Sequence, residues 1–280
     1  DVIDPADGSV MHKAGTVLDT ITTGKDGIAK SKELPLSKLE IEEIKAPDGF
    51  IITHEIQNAE LEYEDQDTEL VFDSVTYYNE RQKLDMSIIK KDAETKTPLA
   101  GSIFGVYASE DIKSADGNVL VEKGSLIESS TSDEDGLVDF YADYPLSNYE
   151  IKEIKPSIGY ATNKEIIKVN GTYQGQDIPV IEYQKEVFNE MTKVEVSKQD
   201  ITDESEIEGA HMMVYPKGQP GEVFEMWISG QDGKNEDGTI KPHMIKGLEI
   251  NKTYILHEES SPYGFALAND IEFTVQDTGE

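Results

Sequence analysis

Ser37–Phe50 reads SKLEIEEIKAPDGF and Ser147–Tyr160 reads SNYEIKEIKPSIGY; the two align without a gap at an offset of 110 residues. The same offset carries Asn79 onto Asn189 and Glu80 onto Glu190. Upstream, with one residue of slippage, ADGSVMHKAGTVL (Ala6–Leu18) matches ADGNVLVEKGSLI (Ala115–Ile127). These are two copies of one unit. A third, shorter copy carries YILHEESSPYGF (Tyr254–Phe265), and its opening, Val194–Tyr215, parallels Met86–Tyr107. Boundaries fall near Arg81–Lys83 and Met191–Lys193, dividing the chain into 1–82, 83–191 and 192–280. Linkers of a few residues favour a stiff rod over beads on a flexible string.

Within each copy apolar residues alternate with polar ones, as in Val194 and Val196 or Tyr149 and Ile151. Clusters of Gly, Asp and Asn, such as Asp133–Gly136 and Asp232–Gly238, punctuate them. That is the pattern of short antiparallel strands joined by hairpins. No stretch has the period of an amphipathic helix, so the expected architecture is all-β, a tandem set of β-sandwiches.

Composition narrows the function. The 280 residues hold 25 Lys and Arg against 57 Asp and Glu, a formal net charge of −32 spread along the chain. Such a polyanion does not bind nucleic acid or an anionic membrane by electrostatics. With 37% hydrophobic residues and 13 Tyr, the sequence still has enough apolar patterning to fold. The absence of Cys excludes disulfides, zinc thiolates and cysteine nucleophiles. No run approaches the ~20 apolar residues of a membrane span, and DVIDPADGSV is not a signal peptide, so the chain reads as an internal or trimmed segment.

Because residues two apart share a face of a sheet, alternation also fixes where side chains point. Leu84, Met86 and Ile88 lead to Lys90; Tyr149 and Ile151 lead to Glu153; Val187 leads to Asn189. Each strand therefore aims a polar side chain at the core. The third copy repeats this with Val194, Val196, Lys198 and with Tyr254, Leu256, Glu258, and the first with Leu39, Ile41, Glu43 and Val75, Tyr77, Asn79. A buried Lys and Glu are costly unless paired, so one reading is an internal ion pair capped by an amide. The other is chemical. Desolvation favours a neutral amine and a protonated carboxylic acid. That acid, hydrogen-bonded to the Asn side-chain carbonyl, would polarise it and shuttle protons while the amine attacks and ammonia leaves. The product is an isopeptide cross-link.

The second copy's Lys90 and Asp92, its Pro98–Gly101 (PLAG), its Tyr149 and Glu153, and its closing Val187–Asn189 (VFN) resemble the collagen-adhesin B-type and SpaA-type pilin domains of Gram-positive surface proteins. The resemblance covers essentially the whole chain and implies Ig-like, transthyretin-like β-sandwiches. It implies Lys90 as nucleophile, Glu153 as proton shuttle and Asn189 as acceptor. Two copies depart from it. The first begins opposite Asp111 and so lacks the first strand and its Lys, leaving partial residues Glu43 and Asn79. The third stops short of a final strand, leaving partial residues Lys198 and Glu258, with Asp277 a weak substitute acceptor.

Other signals are weaker. VYPK (Val214–Lys217) looks like a pilin sortase motif, but Tyr215 stands where Tyr107 does, at an ordinary strand end. Asp232, Asn235 and Asp237 suit a calcium loop, yet an Asp- and Gly-rich turn explains them. The five His show no ligand spacing, Trp227 is expected in the core, and the sequons at Asn170 and Asn251 mean nothing in a bacterial host. No cofactor, metal or catalytic turnover is expected. The resemblance implies an extracellular, cell-wall-surface stalk or pilin segment whose partners are other domains of the same surface protein. The alternatives are adhesin domains binding a host protein or glycan, and accessory modules of a surface hydrolase.

Overall fold

The computed structural model describes residues 1–114 and 117–277, which leaves Ala115 and Asp116, where the second copy of the upstream match begins, outside the described residues. Among those described there is no helix, as the alternation predicts. Two compact units divide the chain. One holds Asp1–Gln82 with Tyr173–Pro179, the other Lys83–Thr172 with Val180–Glu280.

The first unit contains two hairpins, β1 (Val2–Ile3) with β2 (Val10–His12) and β3 (Lys38–Glu42) with β4 (Ile56–Glu60). Leu39 and Ile41 alternate half-buried along β3 with exposed neighbours. Val75, Tyr77 and Asn79 keep the predicted alternation of burial, but residues 75–80 belong to no strand. A strand needs a ladder partner, and among the described residues no strand is paired with these. Tyr173–Pro179 closes part of this unit: Ile52 N–H donates to the Gln176 carbonyl at 3.0 Å, and the buried Gln82 amide donates to the Gly175 and Ile178 carbonyls at 3.1 and 2.6 Å.

In the second unit the second repeat is a sandwich. Its strands are β5 (Lys83–Asp92), β6 (Ile103–Ala108), β7 (Ile112–Lys113), β8 (Val119–Val121), β9 (Leu126–Thr131), β10 (Leu137–Tyr144), β11 (Asn148–Lys155), β12 (Ile167–Asn170) and β13 (Val180–Asn189). One sheet runs β10-β5-β13 and the facing one β12-β11-β6-β9. β13 returns to lie parallel to β5, pairing Val187 with Lys90 and Asn189 with Asp92. The inward residues Leu84, Met86, Ile88, Phe104, Val106, Val138, Phe140, Tyr149, Ile151 and Val187 form one closed core.

The third repeat follows with β14 (Lys193–Val196), β15 (His211–Pro216), β16 (Glu225–Ile228), β17 (His243–Lys246), β18 (Thr253–Ser260) and β19 (Ile271–Thr274). Its four-stranded sheet is β16-β15-β18-β19, but among the described residues the facing sheet is β14-β17, with no strand beside β14 in the place β13 takes beside β5. Trp227 is half-buried rather than central, packed at the edge of this core and stacked on His243. The join between second and third repeats is tight. Thr192 N–H donates to the Gly159 carbonyl and Gly247 N–H to the Thr192 carbonyl, each at 3.0 Å. Gly159 is at φ +85°, and a Cβ there would stand 2.6 Å from the Gly247 carbonyl oxygen, so only glycine fits.

Candidate functional site

The pleat of β5 buries Lys90, that of β11 buries Glu153 and that of β13 buries Asn189, so three strands from two facing sheets bring one polar side chain each to the same point. The Lys90 and Glu153 side chains are 0% and 1% exposed, which removes water from both charges. Lys90 Nζ donates to Asn189 Oδ1. It lies 3.6 Å from Glu153 Oε1 and 5.9 Å above the Phe104 ring. Asn189 Nδ2 donates to both Glu153 oxygens, at 3.0 and 2.8 Å. Desolvation dominates the ammonium: burial pushes Lys90 down from 10.5 to about 8, against the opposing pull of Glu153.

One detail differs from the sequence expectation. Glu153 holds the amide nitrogen of Asn189, not its carbonyl. The donor inventory explains this: a carboxylate only accepts and an ammonium only donates, so the amide turns its NH₂ to Glu153 and its oxygen to Lys90.

The partial sites are assembled as far as their residues allow. In the first repeat Asn79 Nδ2 donates to Glu43 Oε2 at 2.7 Å and to the Ile51 carbonyl at 2.9 Å. In the third, Lys198 Nζ donates to Glu258 Oε2 at 3.1 Å, and Glu258 Oε1 is buried without a hydrogen-bond partner. Asp277 does not fill that gap; its Oδ1 accepts from Thr162 N–H at 3.3 Å.

Two sets of bonds escaped the sequence reading. Asp92, named there only as part of a motif, stands opposite Asn189 and accepts from Glu94 and Thr95 N–H, both at 2.7 Å, and from the Tyr160 hydroxyl at 2.8 Å; burial and then the bond to Asp92 raise the Tyr160 phenol to about 12. Each core Glu also accepts from the backbone N–H ten residues on: Thr53 at 3.2 Å for Glu43, Asn163 at 2.6 Å for Glu153, Ala268 at 2.6 Å for Glu258. The common spacing of ten was visible in the repeats. The direction of the intervening loop was not.

Among the described residues, no group of three or more His, Asp or Glu could hold a metal ion, and no helix is long and apolar enough to cross a membrane. Asp237 accepts from Thr239 N–H and hydroxyl, as turn chemistry requires, and Asp232 bonds His243. Val214–Pro216 lies inside β15, and Lys217 pairs with Glu272 on the surface at 2.6 Å.

No curated protein matches the sequence. Among solved structures, the Bacillus anthracis TIE protein aligns with 92% of this chain at 21% identity and a TM-score of 0.58, which shows a shared fold; the chain spans 43% of that neighbour's length. A Streptococcal ancillary pilin aligns with 91% of the chain and 76% of its own at 19% identity and a TM-score of 0.32. The shaft pilin SpaA of Lactobacillus rhamnosus GG aligns with 70% of the chain and 94% of its own at 13% identity and a TM-score of 0.30. The family model of the SpaA prealbumin-like fold domain matches residues 4–76, 85–184 and 192–280. With nearly all of its residues inside those three stretches, the chain belongs to the family of SpaA prealbumin-like fold domains.

Proposed function

We propose that the chain is a load-bearing stalk segment of a Gram-positive cell-wall-anchored surface protein or pilin, built of three domains, 1–82, 83–191 and 192–280. The second is locked by a Lys90–Asn189 isopeptide bond. The observation that carries this reading is the dry, buried convergence of Lys90, Glu153 and Asn189 from the first, middle and last long strands of the second repeat. Neutral Lys90 Nζ attacks Asn189 Cγ, forming the new C–N bond. Glu153 takes a proton from that nitrogen and delivers it to Nδ2, the atom its oxygens already hold. The Cγ–Nδ2 bond then breaks, ammonia leaves, and Glu153 is regenerated. The reaction consumes its own residues once, so the chain is not an enzyme in the sense of turnover.

Lys90 and Asn189 lie 99 residues apart and near the two ends of the repeat. Force entering at one end and leaving at the other would pass through the bond and leave the sandwich between them unstretched. Single-molecule pulling tests the reading: the second repeat should give no full-length extension in the wild type and one in Lys90→Ala. Equal extension in both proteins would refute the load-bearing role. A second reading, adhesion to a host ligand, draws on Phe72 and Tyr78, 83% and 86% exposed. Both stand in the first unit, Tyr78 within and Phe72 just before residues 75–80 that lack a strand partner, so the incomplete sheet already explains their exposure.

A further inference from the structure

Asn189 is held from its backbone as well as its side chain. The Phe188 carbonyl before it accepts from Asn163 Nδ2 at 3.0 Å, the Glu190 carbonyl after it accepts from Ala161 N–H at 3.0 Å, and its own carbonyl accepts from Ala93 N–H at 2.9 Å. Of these donors, only Asn163 also touches the carboxylate. Its backbone N–H donates to Glu153 Oε2 at 2.6 Å, and its side-chain oxygen accepts from Glu165 N–H at 2.8 Å, which fixes the turn that aims both donors.

The other repeats separate these jobs. In the first, Ile51 N–H donates to the Glu80 carbonyl at 2.9 Å, as Ala161 does to Glu190. Thr53, in the place of Asn163, donates its backbone N–H to Glu43, and its hydroxyl accepts from Glu55 N–H at 3.3 Å. It has no amide to reach the next strand. In the third repeat the position is Ala268, which keeps the backbone bond alone. The side-chain clamp occurs only where Lys, Glu and Asn are all present.

We infer that Asn163 is a positioning residue for the isopeptide reaction, tying Glu153 and the backbone that carries Asn189 to one rigid turn and so setting the distance over which the proton reaches Nδ2. The inference rests on the reaction proposed above. A reaction between groups held in contact is sensitive to small displacements, and losing one such restraint should slow it by between about ten- and a hundredfold.

The test uses the full chain, isolated unfolded and diluted into folding buffer, with intact mass followed over time across a pH series. Asn163→Thr imports the residue the first repeat uses and keeps the turn acceptor and the backbone N–H. Ammonia loss is expected to slow by that factor at every pH without a shift in the pH midpoint, because Lys90 and Glu153 are untouched. A second measurement compares Asn163→Thr with Asn163 in a Lys90→Ala background, where no bond forms, and expects a loss of stability no larger than that of the one hydrogen bond to Phe188. A rate equal to wild type overturns the inference, as does a matching loss of stability in the Lys90→Ala background, which would make Asn163 merely structural. A wild type that never loses ammonia removes the proposed reaction and this inference together, whereas a wild type that does, with Asn163→Thr keeping pace, removes this inference alone.

Discussion

The second and third repeats start alike and finish differently. Both present a Lys from the opening segment and a Glu from the strand that carries Tyr-x-Ile-x-Glu or Tyr-x-Leu-x-Glu, and in both the Glu accepts a backbone N–H ten residues on. In the second, β13 lies along β5, Asn189 fills the space between Lys90 and Glu153, and all three side chains are sealed. In the third, among the described residues, β14 has no such neighbour, Lys198 is 16% exposed, and Glu258 keeps a buried oxygen with no hydrogen-bond partner. The last strand thus does two things at once. It closes the core that dries the amine, and it delivers the amide the amine would attack. A Lys and a Glu alone give an ion pair; in the reaction proposed above, the strand that completes the sandwich supplies the amide that the pair would act on.

The comparison breaks most visibly through the Lys residues. Without the proposed cross-link a loop of 99 residues is free in the unfolded chain, and by the chain-entropy model its absence should lower the stability of the second repeat by about 4 to 5 kcal/mol. Denaturant unfolding of Lys90→Ala is expected to show at least that loss, since truncating the fully buried Lys90 side chain also leaves a cavity in the core. Lys198→Ala is expected to leave the loss of one ammonia from the chain unchanged, because Glu258 has no amide beside it.

Glu153→Gln probes the shuttle. The variant should fold, since an amide still bonds Asn189, but it cannot carry protons, and bond formation is expected to slow by roughly 10² to 10⁴. Intact mass after a fixed folding time reads this directly, and full-speed ammonia loss would take Glu153 out of the mechanism.

The pH dependence is a smaller effect with a definite sign. Because burial lowers Lys90 to about 8, the fraction of neutral amine in the folded, unbonded chain grows as pH rises through about 8. The rate of ammonia loss should climb up to that pH and level off above it. The same shift means that between about 8 and 10.5 the unfolded chain binds the extra proton, so the unbonded fold gains stability as pH rises across that window. A rate that falls through pH 8 would rule out the free amine as nucleophile.

The smallest expected effect sharpens the contrast with the first repeat. Glu43→Gln keeps an oxygen for Asn79 and Thr53 but removes the charge that strengthens both bonds, and should cost about 1 kcal/mol, with no change in ammonia loss. Thermal unfolding measures it.

Parity made the site legible. The period of a strand is strictly two, so three short apolar runs were enough to turn Lys90, Glu153 and Asn189 inward, and the repeats put the same residue types in order in each copy. The all-β architecture followed from the same alternation. What alternation cannot give is pairing between strands far apart in sequence: that β13 runs parallel to β5, or that Tyr173–Pro179 bonds to Ile52 and Gln82. Nor can it orient a terminal amide, which turned its nitrogen rather than its oxygen to Glu153, or reveal that the turn at Asn163 folds back onto Phe188. Residues 75–80 show the limit from the other side, with a strand pattern intact in burial but no ladder partner to make it a strand.

The most direct measurement is the intact mass of the purified 280-residue chain beside that of Lys90→Ala. The expected wild type is lighter than its sequence by one ammonia, not three, with fragmentation joining Lys90 to Asn189, and the variant has its full mass. A wild type at full mass, or an ammonia loss that persists in Lys90→Ala, would contradict the cross-link.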